Sequence, residues 1–178
     1  MKGLIFTEFL DMVEQEFGYE MVDNLLLNAD LPSGGIYTTV GTYRHEEMYS
    51  LLTHLNQYTT IPIPHLLNSF GKYLFQRFTK IYHQLLDKTT DAFVFLTSVD
   101  NHIHVAVKKL YPDAELPHFD IEYLNENTLA MTYTSSRKLG DLAHGLIEGA
   151  LQYYGEKATV TQQSLTEDGS RVQFVIEK

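Results

Sequence analysis

The 178-residue sequence contains no cysteine, which excludes disulfides, thiolate nucleophiles, iron–sulfur clusters and cysteine-ligated zinc, and fits a reducing compartment. Basic residues are scarce: 13 Lys and Arg face 23 Asp and Glu, a formal charge of −10. Lys108–Lys109 is the densest basic pair, so the cationic cluster that binds phosphate backbones is missing and no nucleic-acid partner is expected. No run of about 18 apolar residues occurs, so no membrane insertion is expected. Glu8 and Asp11 fall too early for a secretory h-region, and Gly3 is one place late for myristoylation. These absences predict a soluble, cytoplasmic domain, and its length suffices for a sizeable core.

Helical periodicity dominates the first two-thirds of the chain. Ile5, Phe9 and Met12 form one stripe, with Phe6, Leu10, Val13 and Phe17 beside it, and Gly18 as the stop. Further helices are predicted over about 19–29 and 44–57, separated by the turn chemistry of DLPSGG and an irregular IYTTVGTY. Leu66, Phe70, Leu74, Phe78, Ile81 and Leu85 mark a long amphipathic helix entered through prolines and running to Asp87. After Pro117 the pattern changes. FDIEY and TLAMTY flank LNEN as one hairpin, and KATVTQQSL and SRVQFVIEK flank TEDG as another. Between them lies a helix with Leu139, Leu142, Ala143, Leu146, Ile147 and Ala150 on one face, capped by Ser135 or Ser136 and ended by Gly155.

The segment His102–Ile103–His104 is where chemistry is concentrated. As a strand it would place both imidazoles on one face, as a chelating pair would need. The wider spacing of Leu96, Val99, Ile103, Val107 and Leu110 is helical instead. On a helix His102 and His104 point roughly 200° apart, so at most one of them faces a given cavity. His104 lies on the side of Asp100 and Tyr111, and His102 on that of Ala106 and Lys109. No other histidine stands at zinc-site spacing from the pair, and by itself an isolated histidine reads as a satisfied or surface residue. Asp11, Glu14 and Glu16 form a solvated helix face, and no nucleophile–base arrangement appears, so no enzyme is expected.

Two features together carry a resemblance. His104 precedes Pro117 by thirteen residues, and Tyr133, Ser135 and Arg137 form a Y-x-S-x-R pattern at a predicted strand end. With MKGLIF at the start and GLIEGA at 145–150, they resemble the H-NOX family of haem–nitric oxide/oxygen binding domains, over essentially the whole chain. The resemblance implies an α+β fold: a helical N-terminal lobe over about 1–65, packed on a C-terminal lobe over about 66–178. The C-terminal lobe would hold the ligand helix and a small four-stranded antiparallel sheet, with a non-covalent haem b between the lobes. It implies His104 as the axial iron ligand, Tyr133, Ser135 and Arg137 as propionate holders, and Pro117 against the macrocycle.

Oxygen-binding members of that family carry a distal tyrosine five residues after the motif's arginine; here that place is Leu142. The other positions expected on the distal side, Ile5, Phe9, Leu74, Phe78 and Leu146, also lack a donor. The expectation is an apolar pocket that binds NO and CO and forms no stable O2 complex. Signalling would result from breaking the iron–His104 bond and would pass to a separate histidine kinase or cyclic-di-GMP enzyme. The other readings are a haem or gas carrier without a signalling partner, and a haem-free interaction module.

Overall fold

The computed structural model describes residues 1–86 and 89–178, without the side chain of Leu85. Asp87, the expected end of the long helix, lies outside the described residues. The chain divides into two units, Met1–Leu66 and Leu67–Lys178.

In the first unit, α1 (Gly3–Phe17) and α2 (Tyr19–Asn28) meet at Gly18, whose φ of 86° is a left-handed value that a side chain would strain. An irregular stretch then leads to α3 (Glu46–Thr59). Phe6, Phe9, Val13 and Leu25 are buried in this unit, as are Met48, Leu51, Leu52 and Leu55 of α3. Tyr37 stacks on Phe6 with ring centroids 4.4 Å apart. Its hydroxyl donates to the buried carboxylate of Glu47 at 2.8 Å, and Ser33 donates to the same oxygen at 2.5 Å. Burial pushes the Tyr37 phenol well above its ordinary value, so it stays a donor.

The second unit takes most of α4 (Ile63–Ile81) and continues through α5 (His83–Leu86) and α6 (Ala92–Ser98). A π-helical turn (Val99–Ile103) comes next, then α7 (His104–Leu110), β1 (His118–Asn125), β2 (Thr128–Thr134), α8 (Gly140–Tyr153), β3 (Thr159–Ser164) and β4 (Arg171–Glu177). The four strands form an antiparallel sheet in the order β1–β2–β4–β3, so the two hairpins join through β2 and β4. The fold is therefore α+β, as expected. Leu129, Met131 and Tyr133 of β2 and Val172, Phe174 and Ile176 of β4 bury one sheet face against α6 and α8. Burying each such large side chain stabilises by about 1.5–3 kcal/mol before entropy is counted.

Several local expectations change. α8 begins at Gly140, behind Leu139, with no side-chain cap, rather than after Ser135 or Ser136. Residues 135–139 form a turn instead, with Lys138 at φ 57°, and Ser135 Oγ accepts from the Arg137 amide at 3.2 Å. The α4 stripe is buried at Leu66, Phe70 and Leu74 but surfaces at Ile81. In the segment around the histidines the helix is real but interrupted by the π turn, and Leu110 is exposed rather than core-facing.

Candidate functional site

His104 opens α7 where the π turn closes: its amide donates to Val99 O, five residues back. Such a turn inserts one extra residue into a helix and rotates the side chains beyond it to a new bearing. The turn sets His104 above Asp100, with Nδ1 3.2 Å from Asp100 Oδ1, while His102 is exposed. A carboxylate accepts only, so Nδ1 carries the proton and Nε2 is the nitrogen left with its lone pair. Burial holds the imidazole below its ordinary pKa despite Asp100, so at neutral pH the ring is neutral. A neutral ring with one nitrogen tied to a carboxylate is the form in which histidine binds a metal.

The ring is walled by Phe119 of β1, its centroid 5.9 Å away, and Phe119 meets Tyr133 of β2 edge-on at 5.8 Å. Phe119 stands opposite Tyr133 in the sheet register, which is why the aromatic chain runs from α7 across two strands. Tyr133 is buried, and burial raises its pKa. Its hydroxyl accepts from the Leu139 amide at 3.0 Å, pinning the start of α8 to the end of β2.

Ser135 and Arg137 lie in the turn after β2 rather than on a continued strand. Arg137 reaches back to the loop that carries Pro117. Its Nη1 donates to the Glu115 carbonyl at 2.7 Å and its Nη2 to the Glu115 carboxylate at 2.9 Å. Pro117 itself is half-buried two residues further on. The guanidinium thus ties the loop between α7 and β1 to the turn between β2 and α8.

Of the apolar positions, Leu74 is buried on α4, and Phe78, Leu142 and Leu146 are half-buried on α4 and α8. These two helices cross backbone to backbone. A Cβ on Gly145 would fall 2.0 Å from the Asn68 carbonyl, and one on Gly71 would fall 2.4 Å from that of Leu142. Ile5 and Phe9 belong to α1 of the first unit, half-buried and buried respectively.

Three participants were not singled out in the sequence: Phe119, His118 and Glu115. His118 Nδ1 lies 3.0 Å from Asp100 Oδ2 and its Nε2 3.1 Å from Asp120 Oδ1. Only the fold brings residues 100, 104 and 118 together. Among the described residues no three His, Asp or Glu side chains gather as a metal set. None of the described helices is long and apolar enough to cross a membrane.

The family model described as Haem-NO-binding matches residues 2–162. No curated protein sequence matches the chain significantly. Among solved structures, the unliganded Fe(II) H-NOX protein from K. algicida is 43% identical with a TM-score of 0.95, covering 100% of this chain and 96% of that one. The H-NOX protein from S. oneidensis in the Fe(II)NO state is 29% identical with a TM-score of 0.92, covering 99% and 98%. The H-NOX from Shewanella woodyi in the Fe(II)CO state is 37% identical with a TM-score of 0.84, covering 100% and 94%.

Proposed function

The chain belongs to the haem-NO-binding family, and from that premise we propose that it is a haem-based sensor of nitric oxide that reports to a separate protein. The observation that carries this reading is the state of His104: a neutral, largely buried imidazole with Nδ1 tied to Asp100 and Nε2 left to bind. The donor set fits a haem b. His104 Nε2 would hold the iron, and Arg137 would offer a charged fork for a propionate. Tyr133 and Ser135 would supply hydroxyls, and Pro117 would lie against the ring. Bound haem would supply a ferrous iron able to bind a diatomic gas.

Leu74, Phe78, Leu142 and Leu146 would line the gas side. None of them carries a donor, so nothing there would stabilise the superoxide-like charge of bound O2, whereas NO and CO need no donor. His104 is the group proposed to yield: it would release the iron when NO binds, and α7 would pass the change on. The partner would be a histidine kinase or a cyclic-di-GMP enzyme.

The test is an absorption spectrum of haem-supplemented ferrous protein under nitrogen, air and NO. The expected result is a Soret band with NO and CO complexes and no stable O2 complex. Absence of any Soret band overturns the haem reading, and a stable O2 complex in air overturns the assignment of the apolar side. His104→Gly should lose the native ferrous spectrum while His102→Gly keeps it. The signalling claim is checked separately, by whether the NO-bound form, and not the unliganded form, changes a partner kinase's autophosphorylation.

A further inference from the structure

His118 sits between two carboxylates on different elements, Asp100 of the π turn and Asp120 of its own strand. Both contacts are with acceptor-only oxygens, so they favour the cationic ring, in which both nitrogens donate. Its pKa is raised accordingly, by Asp120 first and then by Asp100. Asp100 therefore serves two imidazoles. Oδ2 takes the charged His118 at 3.0 Å, while Oδ1 takes His104 at a longer 3.2 Å and the Phe119 amide at 3.4 Å.

The strength of a metal-bound imidazole depends on the hydrogen bond at its other nitrogen: a stronger acceptor makes it a stronger donor to the metal. An unshared aspartate would press His104 toward imidazolate. A cation on the second oxygen draws that charge away, and its shorter, charge-assisted bond takes the larger share. The outer end of the bridge is solvated, since the His118 side chain is 59% exposed, but the Asp100 side chain is 25% and that of His104 15% exposed. The part of the relay that reaches His104 is therefore the less screened part.

We infer that His118 is a positioning residue that acts through Asp100 to keep the iron–His104 bond weak enough to break. The inference rests on His104 being the haem ligand and deepens that reading by naming what tunes the bond. His118→Phe keeps a ring and removes both donors; His118→Asn keeps one neutral donor near the Nδ1 position.

The readouts are the iron–histidine stretch of the ferrous, unliganded protein by resonance Raman and, in haem-free full-length protein, the His104 Nδ1–H resonance by NMR. Expected is a shift of the stretch to higher frequency in His118→Phe, with His118→Asn between it and the wild type. The Nδ1–H resonance should move downfield in the same order, and a larger share of the NO complex should keep the His104 bond. In an Asp100→Asn background, His118→Phe should add nothing, which a general loss of packing would not reproduce. An unchanged or lower stretch in His118→Phe, or an unmoved Nδ1–H resonance, overturns the inference. A wild type with no His104-dependent stretch overturns the ligand reading by itself, and the haem-free NMR comparison still decides the role of His118.

Discussion

On the proposed gas side a single hydroxyl would separate a pocket that holds O2 from one that does not, and the side chain five residues after Arg137 is a half-buried leucine. Leu142→Tyr should supply the missing donor. The expected outcome is a ferrous protein that forms an O2 complex in air lasting long enough for a static spectrum, with NO binding retained. An unaltered air spectrum would show that position 142 does not face the gas. Arg137 offers a second test at this scale. Its two nitrogens divide between the carbonyl and the carboxylate of Glu115, a geometry a lysine ammonium cannot copy. Arg137→Lys should release haem faster to an acceptor such as apomyoglobin, about tenfold for each 1.4 kcal/mol of lost propionate contact. Glu115→Gln, which leaves the carbonyl in place, should change that rate far less.

At the scale of elements, what repeats along the chain was legible and what depends on distant contacts was not. The helices and both hairpins can be read from their apolar periods, because a buried stripe needs residues at fixed intervals. The π turn has no such signature: Val99–Ile103 fits a plain helix by composition, and only the His104 amide reaching Val99 reveals the extra residue. A serine before an apolar run suggested a cap, but Ser135 spends its hydroxyl on the Arg137 amide and α8 starts later. His104, Pro117 and the Y-x-S-x-R residues could be named from their order, whereas Asp100 and His118 meet only because β1 returns beside the π turn.

Two predictions belong to this scale. Gly145→Ala forces a methyl against the Asn68 carbonyl, and separating α4 from α8 should cost about 1–3 kcal/mol in urea unfolding. Asp91 caps α6 by accepting from the Val94 amide at 2.9 Å, and that bond holds its carboxyl below the ordinary 3.8. A depressed carboxylate contributes stability above its unfolded pKa and loses it as pH falls through the folded one. Asp91→Ala should therefore cost about 1 kcal/mol near neutral pH. The gap to wild type should close below pH 3.8, as urea midpoints across that range would show.

For the molecule as a whole, a cofactor that binds only the folded chain is also a stabiliser. The folded state gains RT ln(1 + [L]/Kd), about 2.7 kcal/mol when free haem stands at 100 times its dissociation constant. A chain of 150–250 residues shifts its melting point by about 2–4 °C for each kcal/mol, so haem loading should raise Tm by roughly 5–10 °C. The rise should grow with haem concentration, since linkage is logarithmic in free ligand. His104→Gly, which removes the axial nitrogen but leaves Arg137 and the apolar positions intact, should keep part of the shift and lose the rest. Calorimetry of the haem-free and haem-loaded forms of both proteins separates these terms. Equal shifts in the two would mean that the imidazole contributes nothing to holding the cofactor. No shift in either would place the bound state, and the sensor built on it, outside what this chain does.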